Sequence, residues 1–286
     1  MAAAEPMTAN SLAVDVRKVE GDVTVARRDD VAIEEPLEIQ LCSASAEGAA
    51  ARSVAVTMRT PGEDEELALG FLYSEGIITA GTRIAGVSRA GEPDPATGER
   101  NVVRIELHAG EPIDFARLER HFYTTSSCGV CGKASLDAIR VAGARPLHDV
   151  TVTFARDVIT AMPGRLRARQ RVFSKTGGLH AAAAFGPDGE IALVREDIGR
   201  HNAVDKVIGA LLLEGKLPAH GLGLLVSGRA SFELMQKALM AGIPLLAAVG
   251  APSSLAVQLA QEFGMTLIGF LRAGHFNIYA GGERVA

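Results

Sequence analysis

Hydrophobic and polar positions change rhythm near the middle of this chain. Residues 34–42 (Glu34-Glu35-Pro36-Leu37-Glu38-Ile39-Gln40-Leu41-Cys42) alternate after the proline with the period of a half-buried strand, and residues 53–58 supply a partner. Thr60-Pro61-Gly62-Glu63 offers an N-cap, a first-turn proline and a capping-box glutamate. Residues 65–72 therefore read as an amphipathic helix ending near Gly76, with acidic residues at its positive end. A polar turn over 91–100 precedes a strand at 101–107, so residues 30–115 form a small α+β unit. Residues 1–20 read as frayed or loosely attached.

From Arg156 the pattern changes. A helix carrying Arg165, Arg167, Arg169 and Arg171 precedes two runs, 177–185 and 191–195, that flank Pro187-Asp188-Gly189 and read as a hairpin. A helix follows from His201 to about Glu214. Strand and helix then alternate at 222–226, 231–240, 245–249, 253–263 and 266–270, with a last strand near 276–279. Strands separated by helices of this length require crossover connections in a layered sheet. The expected organisation is a flexible N-terminus (1–20), a small α+β domain (21–118), a reactive loop (119–135) and a larger α/β domain (136–286), α+β overall.

The chain has 286 residues, 48% of them hydrophobic, enough to bury a core without covalent staples. No apolar run approaches the roughly 18 residues that span a bilayer. The first residues, Met1-Ala2-Ala3-Ala4-Glu5-Pro6, lack a basic segment followed by an apolar core, so a soluble cytoplasmic protein is expected. Three cysteines, an odd number, argue against a disulfide framework and for a reducing compartment. The net charge of -5 leaves no global nucleic-acid footprint, and three tyrosines without tryptophan give little platform for base stacking. Any anionic ligand has to be held locally.

Chemistry concentrates in a few blocks. Thr124-Thr125-Ser126-Ser127-Cys128-Gly129-Val130-Cys131-Gly132-Lys133 holds two of the three cysteines, each followed by glycine. A structural zinc site needs four protein ligands, yet Cys42 is the only other thiol and lies in an expected core strand. A thioredoxin-like centre belongs between a strand and a helix in a compact unit, whereas a hydroxyl-rich loop precedes this motif. A zinc deaminase needs an H-x-E element and P-C-x-x-C. Here His108-Ala109-Gly110-Glu111 is spaced wrongly and Cys128 follows serine. The fourth reading, an exposed thiolate that accepts and hands on sulfur, uses the whole loop, with Lys133 and a short helix over about 134–141 lowering the thiol pKa.

In Arg195-Glu196-Asp197-Ile198-Gly199-Arg200-His201-Asn202-Ala203-Val204-Asp205-Lys206, two readings stay open. Asp197 or Asn202 caps a helix within a solvated ion-pair network, or the block holds a polar ligand, with His201 and Asp205 on one helix face. Two strand-to-helix turns repeat one chemistry: Val226-Ser227-Gly228-Arg229-Ala230-Ser231 and Val249-Gly250-Ala251-Pro252-Ser253-Ser254. Each sets small residues and hydroxyls at a helix N-terminus, where free N–H groups favour an anion. Arg229, Thr176-Gly177-Gly178 and Phe270-Leu271-Arg272-Ala273-Gly274-His275 add to the expectation of a nucleotide-like ligand. An arginine-rich helix, by contrast, is usually a wet face.

These blocks, with Glu35-Pro36-Leu37, Thr60-Pro61-Gly62, Leu67-Ala68-Leu69-Gly70-Phe71-Leu72, Thr176-Gly177-Gly178-Leu179-His180-Ala181-Ala182 and Ser253-Ser254-Leu255-Ala256-Val257, resemble the FdhD family from about residue 30 to 280. These are sulfur carrier proteins required for formate dehydrogenase activity. The resemblance implies that sulfur passes from a cysteine desulfurase to the molybdenum cofactor, a bis(molybdopterin guanine dinucleotide), before that cofactor enters formate dehydrogenase. It implies that Cys128 bears the persulfide and that Cys131 assists. It puts the cofactor-binding stretch on Phe270, Leu271, Arg272, Ala273, Gly274 and His275; the turns and the charged block add Arg229, Ser231, Ser253 and His201 as expected cofactor contacts, and a GDP-like nucleotide is expected to mimic the cofactor. A cytidine-deaminase-like mixed-sheet larger domain with helices on both faces and a homodimer are also implied, without deaminase activity or a metal site. Rival expectations are a cofactor chaperone that moves no sulfur and a thiol oxidoreductase.

Overall fold

The computed structural model describes residues 10–43, 51–94, 98–111 and 143–286. The first element departs from the expected frayed terminus. β1 (Ser11–Glu20) pairs antiparallel with β2 (Val23–Ala32) from Ser11↔Ala32 to Glu20↔Val23, around a two-residue Gly21-Asp22 turn in which Gly21 has φ 59°. The register gathers Leu12, Val14, Val16, Val23, Val25 and Val31 on one face of the ribbon. β-Branched residues at alternate positions make the strand, and most of the ribbon is solvent-exposed.

β3 (Glu35–Ser43) and β4 (Arg52–Arg59) form the expected antiparallel pair. β6 (Val102–Leu107) lies parallel to β3, and β5 (Ile84–Ala90), whose alternation Gly86 interrupts, completes a four-stranded sheet in the order β4-β3-β6-β5. Between β4 and β5 runs α1 (Asp64–Ser74). It starts three residues later than a Thr60 cap requires: Glu63, at φ 50°, is the N-cap, and the Thr60 hydroxyl accepts instead from the Ile198 amide. Nor is α1 amphipathic, since Leu67, Ala68, Leu69, Gly70, Leu72, Tyr73 and Ser74 are all buried.

The rest of the chain follows the expected alternation closely. α2 (Arg156–Arg169) and α3 (Arg171–Thr176) break at Gln170. β7 (His180–Phe185) and β8 (Ile191–Asp197) form the hairpin. Then come α4 (Arg200–Leu213), β9 (Gly223–Val226), α5 (Phe232–Met240), β10 (Leu245–Ala248), α6 (Ser254–Phe263), β11 (Thr266–Arg272) and β12 (His275–Ala280). The six-stranded sheet has the order β12-β11-β10-β9-β7-β8, with β9, β10 and β11 parallel and the remaining pairs antiparallel.

Both faces of this sheet are covered, which is why β9 and β10 are apolar at every position. Ala181, Ala183, Phe185, Leu225, Leu245 and Ala247 point to Ile159, Met162 and Leu166 of α2. Ala182, Ala184, Leu224, Val226, Leu246 and Ala248 point the other way, to Val204 and Ile208 of α4, Leu234 of α5 and Leu259 of α6. That second core is continuous with Leu37, Ile39, Val103 and Ile105 of the smaller sheet and with Leu67 and Leu72 of α1. The fold is thus mixed α+β, and α1 bridges its two larger sheets. Among the described residues no helix is long and apolar enough to cross a membrane.

Candidate ligand site at the carboxyl ends of the central strands

Chain that leaves β9, β10 and β11 gathers at one end of the sheet, because parallel neighbouring strands deliver their exits to the same edge. The Val249 amide donates to the Val226 carbonyl and the Gly250 amide to the Gly228 carbonyl, at 3.1 and 2.8 Å. Ala230 and Pro252 form an isolated parallel bridge, and the Phe270 amide donates to the Gly250 carbonyl at 3.0 Å. The packing is close: a methyl group on Gly250 would lie 2.9 Å from Arg229 Cα. The two turns that share one chemistry in sequence are thus side by side, and the 270–275 segment adjoins them.

Both serines cap helices, in different ways. Ser253 Oγ accepts from the Ala256 amide of α6, whereas Ser231, N-cap of α5, makes no such bond and lies 3.4 Å from His201 Nε2. Arg229 is exposed, and Arg272 Nη1 donates to the Val249 and Leu271 carbonyls. Phe270 has φ 52° at a break in the β11–β12 register and is 43% exposed. Arg272 pairs with His275 across the Ala273-Gly274 turn, where Gly274 at φ 83° permits the tight reversal. Leu271 is fully buried and faces the α2 side of the sheet, so it belongs to the core. Cys128 and Cys131, with the short helix expected after them, lie outside the described residues.

The fold adds residues that motif reading passed over as site residues. His180 opens β7 opposite Asp197, beside the end of β9. Ser227 Oγ accepts from the Ala181 amide at 2.9 Å and lies 3.4 Å from His180 Nδ1. Burial, Arg200 and Lys237 press His201 down to about 4, against the opposing pull of Glu233. His180 is also held below the usual imidazole range, by burial and by Arg200. Nearby a cavity of about 510 Å³ opens between α2, α3 and the strand ends, lined by Leu166, Arg167, Gln170, Phe173, Gly177, Gly178, His180, Ser227 and Val249 among others. Arg167 stacks over the Phe173 ring at 4.1 Å, while Arg169 Nη1 donates to the Ile191 carbonyl at 2.7 Å. These two arginines are structural ties rather than a wholly wet face. A histidine at the end of a Gly-Gly turn was the one available signal for this corner.

Within the charged block 195–206, Asp197, Asn202, Asp205 and Lys206 are buried, where a solvated network was one expectation. Asp197, fully buried, accepts from Gly199 N, Asn202 Nδ2, Thr60 N and Lys206 Nζ at 2.8–3.2 Å. Gly199, not Asp197 or Asn202, is the N-cap of α4. Lys206 also donates to the Thr60 and Glu196 carbonyls, tying α4 to the entry of α1. Asp205 does not join His201: it accepts from Ser74 Oγ at 3.0 Å and Lys237 Nζ at 2.9 Å. Cys42 is a buried thiol on β3, its pKa raised by burial and Glu106.

A family model described as the FdhD/NarQ family matches residues 32–286. The chain is 51% identical over 273 residues to the sulfur carrier protein FdhD of Streptomyces coelicolor, covering 95% of this chain and 94% of that one. It is 50% identical to that of Mycobacterium tuberculosis (94% and 96% covered) and 43% to that of Saccharolobus solfataricus (95% and 96%). A crystal structure of a candidate formate dehydrogenase accessory protein from Desulfotalea psychrophila superposes with a TM-score of 0.71 at 22% identity, covering 97% of this chain and all of that one. That last likeness establishes the mixed α+β fold.

Proposed function

The chain belongs to the FdhD/NarQ family, and from that premise we propose that it is a sulfur carrier in the maturation of a formate dehydrogenase. The observation that carries this reading is the similarity, at 43–51% identity over nearly the whole chain, to relatives named sulfur carrier protein FdhD. In this reading a cysteine desulfurase presents a persulfide. The Cys128 thiolate attacks its outer sulfur, the donor's S–S bond breaks, and the donor leaves as a thiolate while Cys128 keeps the sulfane sulfur. Attack by Cys131 on the inner sulfur of Cys128 then releases the terminal atom as sulfide, the two thiols supplying both electrons as they close to a disulfide. The acceptor is the molybdenum of a bis(molybdopterin guanine dinucleotide), bound as cargo.

The ligand's phosphates lie at the starts of α5 and α6, near Ser231 and Ser253, with Arg229 and Arg272 supplying charge. This placement draws support from the adjacency of the two helix starts and from the positive potential of helix N-termini. A cytoplasmic homodimer serving one formate dehydrogenase completes the proposal. Incubation with a desulfurase and cysteine, followed by intact-mass measurement, is expected to add about 32 Da, one sulfur atom, to the wild-type chain and nothing to Cys128→Ala. Equal loading of both proteins would remove Cys128 from the reaction. Cofactor binding without any mass gain would instead favour a chaperone that moves no sulfur.

A further inference from the structure

Arg200 is the one arginine among the described residues with a buried side-chain nitrogen left without a hydrogen bond, its Nε. It sits on the first turn of α4, beside His201, and its side chain crosses the Ser227-Gly228 turn. A methyl group on Gly228 would lie 3.5 Å from Arg200 Cδ and 3.6 Å from His180 Cε1. Two serine hydroxyls flank this cation, Ser227 against His180 and Ser231 against His201, each 3.4 Å from an imidazole nitrogen. A guanidinium and an imidazole thus meet at one glycine at the exit of β9, and the second imidazole, His201, next to Arg200 in the chain, feels the charge of both. One carboxylate faces this group: Glu233 accepts from Ser231 and, despite burial, is held below its usual range in part by His201 and Arg200, but no carboxylate forms an ion pair with Arg200 among the described residues.

We propose that Arg200, His180 and His201 form a binding centre for a phosphate-type dianion, and that the two imidazoles take up protons from solvent as the anion arrives and return them as it leaves. The centre rests on the phosphorylated ligand proposed above and adds a second point of anion recognition beside Arg229 and Arg272. Ser227 supplies the mechanical link. Its Oγ accepts the Ala181 amide proton, and in the neutral His180 tautomer that carries its proton on Nε2 the Ser227 hydroxyl donates to Nδ1. Once His180 is protonated, Nδ1 becomes a donor to the same oxygen, and the hydroxyl proton is released to turn toward the ligand.

The charges facing these groups fit such a cycle. His201 sees Arg200, Lys237 and His180 as repelling neighbours and Glu233 as an attracting one; His180 sees Arg200 against Asp197. Without an anion the positive groups and burial keep both rings neutral. A bound dianion reverses that balance, so protonation and binding reinforce each other.

The test is calorimetric titration of the full-length protein with GDP and with inorganic pyrophosphate at pH 6 to 8, in buffers of different ionisation enthalpy. Net proton uptake is expected to be greater in the wild type than in His201→Gln or His180→Gln, a comparison in which the ligand's own ionisation cancels. Wild-type affinity is expected to rise as pH falls from 8 to 6, by up to about tenfold per pH unit for each proton fully taken up. Arg200→Gln is expected to weaken both ligands at least tenfold. Binding with the same proton uptake in wild type and both histidine variants, or affinity insensitive to Arg200→Gln, overturns the proposal. No binding of either ligand to a wild-type protein that still loads sulfur on Cys128 also overturns it, leaving the sulfur-carrier reading intact. Proton-linked binding without sulfur loading would overturn the carrier reading and not this one.

Discussion

Gly70 on α1 and Gly209 on α4 set how closely two helices approach. A methyl group on Gly70 would fall 1.8 Å from the Asp205 carbonyl oxygen, and one on Gly209 1.8 Å from that of Glu66. Backbone cannot yield as a side-chain tip can, so Gly70→Ala is expected to destabilise by about 3 kcal/mol. Gly164, on the exposed side of α2 with nothing within 4 Å of an added methyl group, is the opposite case. Gly164→Ala should stabilise by about 0.5–1 kcal/mol. Urea midpoints compare the two, and midpoints moving in the same direction would sink the close-crossing account. Sequence marked both glycines only as helix-interior residues; the difference between them is what lies opposite. The same holds for His180 and Ser227, neighbours across a strand pair yet 47 residues apart.

At the level of elements, α1, α4 and α5 meet around one polar junction. Lys237 of α5 donates to Asp205 of α4 and to Glu75 at the end of α1, while Ser74 of α1 donates to Asp205. Burial acts against charge on Lys237, yet Asp205 and then Glu75 outweigh it and hold its pKa above the ordinary lysine range. Burial pushes Asp205 up to about 6, against the attraction of Lys237. These tendencies oppose each other within one ion pair. With two carboxylates for one ammonium, we take Lys237 as charged and Asp205 as the group that yields first. Since the folded pKa of Asp205 lies above its unfolded value, its contribution to stability is complete below the usual carboxylate range and is lost as pH rises through about 6. Wild-type stability between pH 4 and 6 should therefore fall more steeply with pH than that of Asp205→Asn, by up to about 1.4 kcal/mol per pH unit. Parallel slopes in chemical unfolding at stepped pH would rule the assignment out. The helices themselves were legible from periodicity. That α4 and α5 would bury charged residues against α1 was not, because a charged helical position looks the same in sequence whether it meets water or a partner.

For the whole molecule, the continuous core joining Leu37, Ile39 and Val103 to Val204 and Leu234 makes the small sheet dependent on the larger one. Thermal unfolding followed by far-ultraviolet and near-ultraviolet circular dichroism is expected to give one coincident transition, as a shared core imposes. Two separated transitions would show that the four-stranded sheet closes a core of its own. Sequence by itself determined the order of strands and helices from residue 177 onward. There, strands buried on both faces are apolar throughout and helices carry their own start signals, such as Ser253 before α6. Tertiary structure alone decided that β1 and β2 form a ribbon, that α1 is enclosed, and that the exits of three strands meet Arg200, His180 and His201 at one edge. Periodicity reports what a residue's own element needs. It holds no information about which distant element supplies the other wall, and that depends on sheet order and on how closely two glycines let helices pass.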